Sequence, residues 1–293
     1  MAGGEERSNL DKPFWPDDGL TKGDLLAYVD AVAPALLPGL RDRPLTVIRY
    51  PNGVDAASFY QKDTPRYAPP WVRTITLPAY GAKKEVRYTV CNDGRTLGWL
   101  ANQAAIEFHP WLARSDRLDR PTHLVLDIDP PAVPDGYARA VEVALLAREA
   151  LHGGGLDGLP KTSGSKGVHV YVPLRRRHGF EQVRTAALRL AEQVALAAPD
   201  LVTVAFKKAE RGGRVFLDTT RNAPGAHIVA AYSPRARPGA PVSFPVAWSD
   251  LERATPKDFT IRTAPGLLLA HGDLWTTAMP DPQSLPRSLT EPA

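Results

Sequence analysis

Three observations predict an α+β fold with mixed sheets for this 293-residue chain. Helical periodicity and strand alternation interleave along its length. The strand candidates come from distant parts of the chain, so their pairing is non-local. No glycine-rich dinucleotide turn follows a first strand, which argues against a regular βαβ series.

The elements follow in order. Thr21 can cap a helix starting "KGDLLAYVDAV", with Asp24 at the capping-box position and an apolar stripe of Leu25, Tyr28, Val29 and Val32. "PLTVIRYP" (44–51), "ASFYQK" (57–62) and "EVRYTV" (85–90) read as strands. "LGWLANQAAIEFHPW" (97–111) reads as a helix stopping before Pro110. "HLVLDID" (123–129) is a strand. A helix over 135–153 is capped by Asp135 and ended by glycines. "GVHVYVPL" (167–174) is a strand, and 180–198 is an amphipathic helix. "GRVFLDT" (213–219) and "AHIVAAY" (226–232) close the series as strands.

Hydrophobic residues make up 43% of the chain, enough for a substantial core. The 36 basic residues against 32 acidic ones leave a net charge of +4, which permits a nucleic-acid partner without demanding one. The one cysteine, Cys91, can form neither an internal disulfide nor a thiolate zinc site and reads as a small buried residue. A chain with no disulfide framework points to a reducing compartment. The N-terminus "MAGGEERSNLDKPFWPDD" has no apolar core of signal-peptide length. No run of ~18 apolar residues is present, so no membrane span and a cytoplasmic location are expected. The tail after Trp275, residues 276–293, is expected to be loosely ordered.

The chemistry concentrates in three segments. In "THLVLDIDPP" (122–131) strand alternation puts Asp127 and Asp129 on one face, with Leu124, Leu126 and Ile128 on the other. Two carboxylates so close repel, and a cation between them removes that cost. Oxygen-only ligands suit Mg²⁺ or Mn²⁺. "GRVFLDTTRN" ends a second apolar strand with Asp218. Three carboxylates at two strand ends can hold two metals ~3.5–4 Å apart, the arrangement that transfers nucleotides. Taken singly, Asp218 also suits a turn.

The third segment is "LPKTSGSKGVHVYVPL" (159–174). Ser163, Gly164, Ser165, Lys166 and Gly167 form a small loop whose backbone N–H groups can cradle an anion. The serine hydroxyls and Lys166 add donors and charge, and His169 faces the same side of the following strand. The GxxxxGK[ST] spacing of a Walker loop is absent. An ordinary tight turn remains open as the alternative. Together the segments describe a metal-dependent nucleotidyl-transfer site. The basic runs at 175–178 ("RRRH") and 207–214 ("KKAERGGR") flank it and suit sequence-independent contacts to a DNA backbone.

These segments, in this order, resemble the archaeo-eukaryotic primase superfamily, and within it the polymerase domain of bacterial DNA ligase D. "SNLDKPFWP", "SFYQK", "LGWLANQAAIEFHPWLAR", "HLVLDIDP", "KTSGSKGVHVYVPL" and "YSPRARPGAPVSFPVAW" carry the likeness, over roughly 8–275. The resemblance implies a primase-polymerase fold with two packed mixed or antiparallel sheets flanked by helices, in one catalytic domain over 1–275. It implies metal ligation by Asp127, Asp129 and Asp218, and triphosphate contacts from Ser163, Ser165, Lys166, Gly167 and His169. Arg235 matches a basic residue that reaches the phosphates, and His109 a histidine near the incoming nucleotide. Phe59 matches an aromatic that stacks on its base, with Tyr60 adjoining. Asn9, Lys12 and Lys22 match positions that bind a DNA 5′-phosphate, and two lysines with an amide beside a helix start are a natural anion site.

The expected activity is template-directed nucleotidyl transfer that extends primers and fills short gaps, in repair, end joining or priming. The expected partners are gapped or broken duplex DNA, NTP or dNTP, Ku and a separate ligase, with the chain a monomer. No ligase or phosphoesterase half can be read in it, which suggests a stand-alone polymerase or an isolated domain. The segment 76–88 and the run 175–178 differ from the family in length or charge. Two alternatives remain. One is a catalytically silent module that bridges DNA ends. The other is a haloacid-dehalogenase-type phosphohydrolase, disfavoured because Pro131 stands where that family has Thr or Val and because the serine–glycine loop has no role there.

Overall fold

The computed structural model describes residues 6–78 and 84–291. The start of the expected domain (1–5), part of the segment 76–88 (79–83) and the end of the tail (292–293) lie outside the described residues.

The strands are β1 (Pro13–Trp15), β2 (Leu20–Thr21), β3 (Pro44–Arg49), β4 (Phe59–Gln61), β5 (Thr74–Pro78), β6 (Glu85–Val90), β7 (Ala105–Pro110), β8 (His123–Asp129), β9 (Leu159–Thr162), β10 (Val168–Pro173), β11 (Val202–Thr203) and β12 (Val215–Asp218). The helices are α1 (Lys22–Leu40), α2 (Gly94–Asn102), α3 (Gly136–Gly153), α4 (Phe180–Ala197), α5 (Ala264–His271), α6 (Leu274–Thr277) and α7 (Arg287–Thr290). They form two compact units. The first comprises Met1–Asp116, His227–Phe244 and Pro256–Asp273; the second comprises Arg117–Ala226, Pro245–Thr255 and Leu274–Ala293.

In the first unit β3 is the centre of an antiparallel sheet, pairing with β4, β6 and β7, while β5 extends β6. α1 begins as its sequence dictates. The Thr21 hydroxyl accepts from the Asp24 N–H, and the Asp24 carboxylate accepts from the Thr21 N–H at 2.7 Å, a complete capping box. Among the described residues α1 is the one helix long and apolar enough to cross a membrane by composition, at a mean hydropathy of 1.2. Here it buries Leu25, Tyr28, Val29, Val32, Leu36 and Leu40 as a core helix does. The Tyr28 hydroxyl donates to the Tyr232 carbonyl inside the same unit.

Two sequence expectations fail in this unit. The helix expected over 97–111 is α2 followed by β7. Asp93 caps α2, its carboxylate accepting from the Thr96 N–H at 2.7 Å. Ala104 then takes a left-handed φ of 63°, which stops the helix. Ile106 and Phe108, β-branched and aromatic, continue as a fully buried strand on β3, so sheet pairing overrides the helical spacing. The strand expected over 226–232 has only an isolated bridge, His227 to Trp111. Its amides go to separate partners, Ala230 to Phe108 and Tyr232 to Ser243, and Tyr232 has a φ of 64°.

The second unit is built on a sheet of order β11-β12-β8-β10-β9, antiparallel except for the parallel β11/β12 pair. α3 and α4 pack on it. α3 starts after Asp135 as expected, but the Asp135 side chain makes no capping bond. The tail expected to be loose is tied down instead. The Gln283 N–H donates to the Pro173 carbonyl, its own carbonyl accepts from Arg175, and Leu285 and Leu289 are buried. Backbone pairing to the end of β10 supplies an order that composition does not reveal.

Candidate active site

The register of the second unit sets one polar row across four strands. Asp218 on β12 stands opposite Asp127 on β8, Asp127 opposite His169 on β10, and His169 opposite Lys161 on β9. Directly opposed residues share a face, so all four side chains point the same way. Asp129 lies two residues on from Asp127, on the same face. Asp127, Asp129 and Asp218 each offer an oxygen, and these atoms lie within 4.8 Å of one another.

Side chains lock this register. The buried Asn222 takes the place of a further strand residue. Its carbonyl accepts from the Val125 N–H at 2.8 Å, and its amide donates to the Val125 carbonyl at 2.7 Å. The Asp218 carboxylate accepts from the Thr220 N–H at 2.7 Å, so the turn-forming role and the cluster role coexist in one residue.

The cluster is electrostatically loaded. Burial, and then the charges of Asp127 and Asp218, push the Asp129 carboxyl up to about 6, while Lys166 and Arg211 oppose the shift. The Arg221 guanidinium lies 3.6 Å from Asp127 and 3.9 Å from Asp218 and is 43% exposed. An all-oxygen donor set in which two carboxylates raise the proton affinity of the third, Asp129, fits a hard divalent cation. These three aspartates could hold a metal.

His169 sits between Lys161 and Asp127. The fully buried Lys161 ammonium is 2.9 Å from Nδ1, and Nε2 is 3.2 Å from Asp127 Oδ1. An ammonium only donates, so Nδ1 accepts and the Nε2–H points at the carboxylate. The loop beside this row is closed by Ser163, whose hydroxyl oxygen accepts from the Ser165 and Gly167 N–H groups at 3.2 and 3.1 Å. Gly164 has a φ of 66°. A Cβ at Gly167 would stand 2.2 Å from the Ile128 carbonyl oxygen, so glycine alone lets the loop lie against β8. Lys166 is exposed at the tip.

The remaining expected site residues lie in the first unit. Glu107 and His109 share a face of β7. The His109 ring is 3.0 Å from the Glu107 carboxylate, and Arg235 pairs with the same carboxylate at 3.1 Å. The Ala236 N–H also donates to Glu107. Burial pushes the Glu107 carboxyl up, but His109, Arg235 and Ala236 outweigh it and hold it at about 2. His227 packs edge-on against His109, and Tyr60 lies beside His227. Phe59 and Tyr60 are 45% and 64% exposed on β4, and the Arg49 guanidinium lies over the Phe59 ring. At the start of α1, Lys12 donates to Asn52 and Lys22 donates to the Ser8 carbonyl. Asn9, with a φ of 54°, begins the turn that leads to Lys12, its carbonyl accepting from the Lys12 N–H at 3.1 Å. Burial, and then the Lys12 charge, pull the Lys22 pKa down, so the two ammonium groups sense each other.

Sequence reasoning missed Glu107, Lys161 and Arg221. Glu107 was detectable as the residue two before His109. Arg221 follows Asp218 by three positions in the quoted "DTTR". Lys161 is visible only once β9 is set in register with β10.

Comparison with known proteins places this arrangement in the primase-polymerase class. A family model described as "LigD, primase-polymerase domain" matches residues 21–275. The chain belongs to that family. It is 35% identical over 284 residues to the bifunctional non-homologous end joining protein LigD of Bacillus subtilis, covering 96% of this chain and 45% of the relative. It is also 35% identical over 255 residues to the multifunctional non-homologous end joining DNA repair protein LigD of Mycobacterium tuberculosis, covering 84% of this chain and 33% of that protein. The chain thus spans less than half the length of these curated relatives. Among solved structures, the polymerase domain of Mycobacterium tuberculosis ligase D in complex with DNA superposes with a TM-score of 0.84 at 32% identity, over 92% of this chain and 96% of that one.

Proposed function

We propose that this chain is a template-directed DNA-dependent nucleotidyltransferase that extends primers and fills short gaps in broken DNA, as one catalytic domain over 1–275. The observation that carries this reading is the row of Asp218, Asp127 and His169 beside the Ser163–Gly167 loop, with Asp129 completing the acidic cluster. Asp127, Asp129 and Asp218 would hold Mn²⁺ or Mg²⁺. Bound there, two such ions would supply activation of an attacking 3′-hydroxyl and neutralisation of the triphosphate.

The chain's own groups do the rest. His169 fixes the Asp127 carboxylate through its Nε2–H. With the Ser165 and Gly167 amides taken up by Ser163, the loop offers the Ser165 hydroxyl and the Lys166 ammonium to the NTP or dNTP phosphates. Glu107 holds His109 and the phosphate-binding Arg235 in place, and Phe59 with Tyr60 stacks on the base. Stacking there tolerates any base. Asn9, Lys12 and Lys22 would bind the 5′-phosphate beyond a gap. Work beside Ku and a separate ligase, a monomeric state and a location in the cytoplasm at the nucleoid complete the proposal.

The test is extension of a labelled primer across a short gap with Mn²⁺. Addition of template-dictated nucleotides is expected, faster on a 5′-phosphorylated gap, with that preference lost in Lys12→Ala/Lys22→Ala. Gap binding without any nucleotide addition would contradict the reading.

A further inference from the structure

The segment joining β11 to β12 holds an aromatic ring out in solvent. Phe206 is 70% exposed and the neighbouring Val204 36% exposed. Exposure of this kind often accompanies a floppy loop, but this loop is fastened by arginines. The Arg211 guanidinium donates to the Ala205 carbonyl at 3.3 Å and to the Phe206 carbonyl at 3.0 Å, and lies 3.7 Å over the Phe216 ring. Arg214 in turn donates to the Arg211 and Glu210 carbonyls at 2.9 and 3.1 Å. A short helical turn, Lys208–Glu210, sits between them. The backbone that carries Phe206 is thus held in one shape while its ring faces water.

The surroundings of the ring are basic. Lys207 and Lys208 follow it and are exposed. Lys207 pairs with Glu210 at 3.3 Å, an exposed pair that holds the ammonium only weakly. The loop runs into β12, where Phe216 stands opposite Asp129. Arg211, which clasps the Phe206 carbonyl and covers Phe216, is close enough to act on the Asp129 charge.

We propose that Phe206 is a stacking platform for an unpaired base of single-stranded DNA, with Lys207 and Lys208 contacting the adjoining phosphates. An aromatic face flanked by cations matches the two surfaces of a single strand, a π-stack and a phosphate chain. With the backbone beneath the ring already held by Arg211, the loop loses less conformational freedom when the base arrives. The inference rests on the nucleotidyl-transfer reading for its setting and goes beyond it by naming a further aromatic, besides Phe59 and Tyr60, that engages a base.

The test measures binding of the full chain to two fluorescein-labelled oligomers of equal length, one of thymidylate and one of abasic sites, over a range of salt. Phe206→Ala is expected to weaken thymidylate binding about ten-fold and leave the abasic oligomer unchanged. Phe206→Tyr is expected to restore it. Lys207→Ala/Lys208→Ala is expected to weaken both oligomers and flatten the salt dependence. Phe206→Ala binding both oligomers as the wild type does, or losing both equally, would overturn the proposal. So would a self-association of the wild type that Phe206→Ala abolishes without any base-dependent change. Primer extension on the same preparations separates the two readings. Extension without a base-dependent effect sinks only the platform, and base-dependent binding without extension sinks only the polymerase.

Discussion

Asp127 and His169 face each other across two antiparallel strands, with Nε2 3.2 Å from the carboxylate oxygen. Lys161, opposite His169 on the next strand, holds the other ring nitrogen. The lysine thereby sets the tautomer, and the histidine orients the carboxylate. Outer partners of this kind typically affect metal affinity or activity by 10–100-fold. His169→Ala is therefore expected to weaken Mn²⁺ binding by about 10-fold or more, measured by calorimetry. His169→Gln, which can still donate, should lose less. Unchanged affinity in both variants would show that the pair does not orient Asp127.

Arg221 lies near two of the three carboxylates and competes with any cation among them. Its exposure lets solvent screen the interaction, so the effect is modest. Arg221→Gln should tighten Mn²⁺ binding a few-fold, about 1 kcal/mol or less. Weaker binding in the variant would mean that the guanidinium helps build the site.

Glu107 carries a pH signature. Its carboxyl is held at about 2 against an ordinary 4.5. A depressed acid stabilises the fold above its ordinary value and loses that contribution as pH falls through the folded one. Glu107→Gln should therefore cost about 3 kcal/mol at neutral pH. The gap between variant and wild type should close as pH drops from about 4.5 towards 2. Urea unfolding across pH reads this directly, and a pH-independent gap would contradict the assignment.

Asn222 substitutes for backbone on β8, with two bonds to Val125. Asn222→Ala leaves a buried N–H and a buried carbonyl without that partner and should destabilise the chain by about 1–3 kcal/mol. The register opposite Asp218 depends on the same clamp, so Mn²⁺ affinity should fall in parallel. Loss of stability with metal binding intact would separate the two roles.

The core of the site was legible because strand alternation fixes which side chains share a face. "HLVLDID" and "GRVFLDT" alone put Asp127, Asp129 and Asp218 at strand ends. The capping box at Thr21 and Asp24 was equally local. What escaped depends on long-range pairing. Residues 105–110 carry spacing that also suits a helix, and only β3 makes them a strand. Lys161 has no meaning until β9 is set against β10. The tail lacks any periodic signal, and its order comes from bonds that Gln283 makes to the end of β10. Residues 226–232 show the converse, a strand-like composition whose amides find scattered partners.

The most direct measurement pairs Mn²⁺ binding with primer extension for Asp127→Asn/Asp129→Asn, two isosteric changes that keep shape and remove charge. The expected result is loss of both metal binding and nucleotide addition, with gapped-DNA binding retained. Nucleotide addition at the wild-type rate in that variant would contradict the assignment of the acidic cluster as the catalytic centre.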